Sequence, residues 1–270
     1  MPTERSDPVY RRTMARRSIR YGSHRSQVAD LWRPEQEADA RLPVVVLIHG
    51  GFWRAPYTKM LMTPLAKAVA RRGWMAWNVE YRRLGVFAGG GGWPETLFDI
   101  AASIDHLATI ENADLGRVVI CGHSAGGQLA LWAAARSQLR AGSPGADPQV
   151  GIRGSVSLAG LVNLREADRL GLGADAVAKF LQGHWAQQEE RYRHASPAEL
   201  APLGVPQALI HGVDDTTVPP SMSRNYQVQA SAAGDDARYV AVADTAHRDL
   251  IDPSGPGWAA AVAELERFIG

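Results

Sequence analysis

The sequence predicts an α/β fold: a mostly parallel central sheet with helices on both faces and a small helical cap. Three observations carry this reading. Runs that read as strands alternate along the chain with runs at helical spacing, the pattern of a parallel sheet built from crossovers. One run, VVVLIHGG (44–51), is continuously apolar and rich in β-branched residues, as a strand buried on both faces must be. Late in the chain a segment of about 45 residues separates two strands, too long for an ordinary connection. At 270 residues, with 46% apolar and 21% charged residues, the chain suits a single domain (1–270) with a sizeable core.

The elements follow in order. RSIRYGS (17–23) and QVADLWRP (27–34) read as two short strands joined by a polar turn, with Pro34 closing the second; as a pair they suit an antiparallel edge. EQEADARLP (35–43) is a charged surface loop, and the central run 44–51 follows it. From Thr58 to Arg72 the apolar residues fall at helical spacing, and Gly73 ends the helix. WMAWNVEYR (74–82) is a strand, VFAGGGG (86–92) a glycine-rich loop, and Pro94 sits well for the first turn of a helix reaching Ile110. RVVICG (117–122) is a strand, and Gln128–Ser137 continues as helix. GSVSLAG (154–160), PQALIHG (206–212) and ARYVAVA (237–243) are strands, and Trp258–Ile269 is a closing helix. The long segment, about 161–205, holds helical patches near 163–170, 174–182 and 186–193 and reads as a cap inserted over the C-terminal edge of the sheet.

Composition removes several function classes. A net charge of +1 gives no electrostatic footprint for nucleic acid. No apolar run has the length of a membrane span. Residues 1–16 form a basic N-terminal arm without an apolar export segment behind it, which makes the cytoplasm the default location. The single cysteine, Cys121, excludes an intrachain disulfide framework and a cysteine-based metal site, and no H-E-x-x-H is present, so neither metal nor cofactor is implied. Oligomeric state is left open, a homodimer included.

The chemistry centres on VICGHSAGGQLALW (119–132), where a strand ends at Gly122 and a helix follows a serine boxed by glycines. A serine on a sharp strand-to-helix turn is lifted out of the sheet and is placed to attack a carbonyl; the plain alternative is a tight turn that happens to contain serine. G-x-S-x-G alone is weak, so the partners decide. A serine nucleophile needs an acid and then a histidine, in that chain order, each on a loop after a strand. VDDTTVPPS (213–221) follows one strand and offers Asp214 and Asp215; DTAHRDLIDP (244–253) follows the next and contains His247. HGGFW (49–53) lies after the central strand, where the backbone amides of Gly51 and Phe52, with that of Ala125 behind the serine, suit a developing oxyanion. His49, His123 and His211 stand beside glycines at strand ends and read as loop organisers. Trp53 and Trp93 lie near the expected site edge and are candidate substrate contacts, while Glu80, Tyr81 and Arg82 suggest a buried ion pair at the same edge.

Taken together, HGGFW, GHSAGG, HGVDDTTVP and AHRDLIDP resemble the α/β-hydrolase superfamily, and more narrowly its esterase and arylformamidase (kynurenine formamidase) branch, whose oxyanion motif reads H-G-G-x-W. YGSHRSQVADLWRP (21–34), NVEYRRL (78–84) and HASPAEL (194–200) extend the resemblance over roughly residues 17–268. It implies an α/β-hydrolase fold and a triad of Ser124, Asp215 and His247, the acid chosen because it stands three residues before Val218. It also implies Gly51 and Phe52 as amide donors; Phe52 replaces the third glycine of the three-glycine form, and its bulk narrows the acyl pocket. The implied substrate is a small-molecule ester or amide. The leading expectation is a carboxylic ester of a small acyl group, the alternative N-formyl-kynurenine. A non-catalytic ligand-binding protein on the same scaffold is disfavoured because every triad member is present.

Overall fold

A computed structural model describes residues 13–35, 39–85 and 89–270. Its eight strands form one sheet in the order β1-β2-β4-β3-β5-β6-β7-β8. β1 (Met14–Arg20), β2 (Val28–Pro34) and β4 (Met75–Val79) are joined antiparallel; β4, β3 (Leu42–Ile48), β5 (Ala113–His123), β6 (Gly154–Leu158), β7 (Gln207–Gly212) and β8 (Ala237–Val242) are joined parallel. All seven residues of β3 are buried, as its unbroken apolar run requires. Val44, Val46 and Ile48 point into one core, and Val45 and Leu47 into the other. The first core is closed by α2 (Glu95–Asp105), α3 (Ala125–Ala134) and α8 (Pro220–Ala232), the second by α1 (Thr63–Arg71) and α9 (Pro256–Ile269). Each fully buried aliphatic side chain contributes about 1.5–3 kcal/mol, and the central strands and the helices that cover them both supply such residues.

Several boundaries differ from those read in the sequence. β1 starts at Met14, so residues 14–16 of the expected basic arm belong to the edge strand; residues 1–12 lie outside the described chain. The exposed arginines of β1 blunt that edge against further pairing. β4 stops at Val79; the Glu80 amide still donates to Val28 O of β2, and the side chains of Glu80, Arg82 and Arg83 enter ion pairs. β5 begins four residues early, at Ala113, and its pairing with β3 shifts register between Pro43 and Val44. The helix expected over 58–72 opens with a 3₁₀ turn, Lys59–Met62, capped by the Thr58 hydroxyl before α1 proper. The helix expected to reach Ile110 ends at Asp105 and runs on as a 3₁₀ turn to Thr109. In the glycine loop, residues 86–88 lie outside the described chain, as do residues 36–38 of the charged loop.

α8 has no counterpart in the sequence reading. Only Met222, Ser223, Tyr226 and Ala230 of its thirteen residues are buried, and so thin an apolar stripe gives little periodic signal. Between β6 and β7 the chain forms α4 (Leu164–Arg169), α5 (Leu172–Leu181), α6 (Trp185–Ala195) and α7 (Pro197–Leu200). These helices reach the loops at the C-terminal ends of the strands: Phe180 C=O accepts from the Trp93 amide at 2.8 Å, and Val162 C=O accepts from the Ala198 amide at 3.0 Å. Cys121 is buried in β5, and burial pushes its thiol up to about 12, so it is an inert part of the core. No helix of the described residues is long and apolar enough to cross a membrane.

Candidate active site

β5 delivers His123 to the C-terminal edge of the sheet, and the chain reverses at Ser124. That residue holds φ 55° and ψ −121°, a left-handed conformation that costs a non-glycine residue about 1–3 kcal/mol. The surroundings impose it. The Ser124 amide donates to Leu158 C=O at 2.8 Å, and the Ser124 carbonyl accepts from Gly127 and Gln128 at 2.8 and 3.2 Å. The flanking glycines are steric requirements: a Cβ on Gly122 would lie 2.0 Å from Gly126 O, and one on Gly126 would lie 2.2 Å from Ile48 O. Strand, turn and helix thus cross backbone against backbone, with Ser124 only 2% exposed at the crossing.

The loop after β7 supplies Asp215. Its Oδ1 accepts from the amides of Thr217 and Val218 at 2.8 and 2.9 Å; its Oδ2 accepts from His247 Nδ1 at 2.6 Å and from His211 Nε2 at 3.1 Å. Burial alone would raise this carboxyl, but the hydrogen bonds from His211, His247 and Val218 outweigh it and hold the group well below the usual carboxylate range. Asp215 is buried, whereas the neighbouring Asp214 is exposed and donates its amide to Thr245 O. His211 Nε2 also faces Val218 O at 3.0 Å, so this nitrogen carries the proton, and Nδ1 accepts from the Ser223 hydroxyl at 2.8 Å.

His247 sits on the loop after β8. With Nδ1–H committed to Asp215, its Nε2 keeps a lone pair free to take a proton. Among the described residues no hydrogen bond joins Ser124 Oγ to His247; the tie between the two runs through His123. The His123 Nε2–H donates to His247 C=O at 2.9 Å, and the two rings lie 4.6 Å apart. Burial, and next the charge of His247, push His123 down to about 3, which keeps it a neutral donor.

The HGGFW turn packs beside the serine: a Cβ on Gly50 would lie 2.6 Å from His123 O and 2.8 Å from Ser124 Cβ. Gly51, Phe52 and Trp53 hold φ values of 110°, 51° and 56°, three positive angles in succession. None of the described loop hydrogen bonds is donated by the amides of Gly51, Phe52 or Ala125. Ala125 is the first residue of α3, where an amide has no intrahelical acceptor and the helix end is positive.

His49 anchors this turn from beneath. Its Nε2 lies 3.0 Å from Glu80 Oε1, and its ring stacks on Tyr81 at 4.3 Å. Glu80 also accepts from the amides of Lys59 and Tyr81 at 3.1 Å each and pairs with Arg83. Burial would raise Glu80, yet the His49 bond and the Arg83 charge bring it below its ordinary value. Arg82 pairs instead with Asp99, at 2.7 Å. The ion pair expected at this edge is therefore two pairs with different partners.

Trp53 is fully buried, stacked on Phe180 at 4.3 Å, with its indole N–H donated to Gln128 Oε1 at 3.2 Å. This corrects its expected role as a substrate contact, since no face of the ring is open. Trp93 lies edge-on to His194 at 5.0 Å and lines a cavity of about 480 Å³ with Arg140, Pro144 and Arg191.

A family model, BD-FAE, matches residues 29–229. The chain belongs to the BD-FAE family. The match spans every element from β2 to most of α8, including Ser124 and Asp215. The esterase LipC of Mycobacterium tuberculosis (strain ATCC 25618 / H37Rv) is 26% identical over 94% of this chain and 66% of its own length. A probable isoprenylcysteine alpha-carbonyl methylesterase of Arabidopsis thaliana is 28% identical over 88% of this chain and 58% of its own. The chain thus spans less than two thirds of these curated relatives. The solved structure of a truncated carbohydrate esterase from gut microbiota superposes with a TM-score of 0.80 at 18% identity, covering 95% of this chain and 96% of that one. The fold is that of the α/β-hydrolases, as the sheet order and elbow also show. The matches do not single out the arylformamidase branch.

The structure gives His211, read as a loop organiser, a specific partner, and adds Gln128, which the sequence reading did not single out. His211 shares Asp215 with His247, a relation visible only once β7 and its loop fold together. Gln128 stands four residues after Ser124, hence on the same face of α3, and that spacing was the available signal.

Proposed function

We propose that this protein is a serine hydrolase that cleaves a carboxylic ester of a small acyl group, with Ser124 as nucleophile, His247 as base and Asp215 as orienting acid. The observation that carries this is Ser124 in its left-handed turn, with the ring of the preceding His123 packed on a histidine that is itself tethered at 2.6 Å to a buried carboxylate. His247 Nε2 takes the Ser124 hydroxyl proton as Oγ bonds to the substrate carbonyl carbon. The amides of Gly51, Phe52 and Ala125 receive the resulting oxyanion, at about 3 kcal/mol for each donor. Collapse expels the alcohol, which leaves with the proton from His247. Water, deprotonated by His247, then cleaves the acyl-enzyme and regenerates Ser124. Substrate closes the Ser124–His247 bond, as is common where the free enzyme shows it open.

The esterase names of the two curated relatives and of the carbohydrate esterase support ester cleavage. A small acyl group is supported by the bulk of Phe52, whose ring packs against Gly173, and by the near-complete burial of Ser124. The test is kcat/KM on p-nitrophenyl esters of rising acyl length, beside N-formyl-kynurenine, with Ser124→Ala as control. The expected result is fastest turnover of the shortest esters, lost in the variant. Wild-type turnover by Ser124→Ala would overturn the mechanism. A preference for the formamide of about tenfold or more would make the substrate a formamide.

A further inference from the structure

We propose that Gln128 is a positioning residue, which ties the oxyanion-side turn and the helical segment 161–205 to the helix that carries the nucleophile. The inference rests on the serine-hydrolase reading above. Gln128 is wholly buried, and both ends of its amide are used. Oε1 accepts the Trp53 indole N–H at 3.2 Å, and Nε2 donates to Ala195 C=O, at the end of α6, at 2.8 Å. Its backbone N–H donates to Ser124 C=O at 3.2 Å. One side chain therefore joins its own helix to two segments whose bonded residues lie 75 and 67 residues from it in the chain.

The turn it holds is the strained one. Three successive positive φ angles persist only where the surroundings over-determine them. Around Trp53 those surroundings are its stack on Phe180, the Leu84 amide bonded to Trp53 C=O at 2.7 Å, and the Gln128 bond. Of these, only the Gln128 bond refers the turn to the serine's own helix. Rotation of Trp53 moves the peptide of Phe52, one of the donor amides. An oxyanion donor acts on the transition state and hardly on bound substrate, so a displaced donor lowers kcat and leaves KM nearly unchanged.

The experiment is a double-mutant cycle on a short p-nitrophenyl ester. Gln128→Met keeps length and volume without hydrogen bonds; Trp53→Phe keeps the stack on Phe180 but removes the donor. We expect each single variant to lose about tenfold or more in kcat with KM within about twofold. The double variant should lose no more than the worse single, because both remove the same bond. Melting temperatures of all three report folding separately. Unchanged kcat with a lowered melting temperature, or losses that simply multiply, would overturn the proposal. Ser124→Ala in the same assay keeps the two readings apart: if it abolishes turnover while both single variants retain full kcat, only the role of Gln128 fails; if it retains turnover, the hydrolase reading fails.

Discussion

His247 Nδ1 and His211 Nε2 converge on a single oxygen, Asp215 Oδ2, at 2.6 and 3.1 Å. The first bond sets the tautomer of His247. The second, itself fixed by Ser223 and Val218, sets where the carboxylate stands. Asp215→Asn keeps the shape but offers a donor where an acceptor is needed, and kcat should fall about 10⁴-fold. His211→Gln leaves the acid charged but less well held, and a loss of about 10- to 100-fold is expected. Equal losses in the two variants, read from kcat on a short ester, would contradict this division of labour.

The crossing of the elbow with β3 leaves no room for a methyl group. Gly126→Ala would put a Cβ 2.2 Å from Ile48 O, a backbone atom that cannot step aside. We expect a loss of about 1–3 kcal/mol in denaturant unfolding. Gly151→Ala, whose Cβ meets nothing within 4 Å and whose φ, like that of Gly126, lies outside the positive range, is the comparison for backbone effects alone.

His123 makes stability depend on pH. Its folded value is about 3, below the ordinary 6.5, so between those values the unfolded chain binds a proton that the folded chain refuses. Stability from this group is complete above pH 6.5 and declines as pH falls toward 3. His194, lowered by burial, acts in the same direction. Melting temperature measured from pH 7 to pH 4 should fall less steeply in His123→Asn than in the parent. An identical slope would show that His123 is not the group responsible.

Arg82 covers a carboxylate that has almost no water. Asp99 is fully buried, and Arg82 reaches it through Nε and Nη2 at 2.7–3.1 Å. Arg82→Ala strands that charge and should cost about 3–5 kcal/mol. Asp99→Asn with Arg82→Ala removes the stranded charge and should recover part of the loss in the same unfolding measurement.

Much of the frame is legible in the chain because its causes are local. The unbroken apolar run of 44–48 states that this strand is buried on both faces, and 154–160 and 206–212 are legible as strands. The order of serine, acid and histidine, each just after a strand, is a property of the chain itself. α8 was not legible, since its buried stripe is only Met222, Ser223, Tyr226 and Ala230. The end of β4 was not legible either: the side chains of Glu80, Arg82 and Arg83 pair with His49, Asp99 and Glu80, partners distant or ambiguous in sequence.

By itself, then, the sequence determined the α/β architecture, the turn at Ser124 and the chain order of the candidate triad, all of which follow from hydrophobic period, glycine placement and strand-end position. Tertiary structure alone decided that His247 meets His211 on one oxygen of Asp215, that Trp53 is core and not surface, and that Gln128 bonds both Trp53 and Ala195. Those choices depend on hydrogen bonds between segments tens of residues apart, and such bonds leave no period in the chain that makes them.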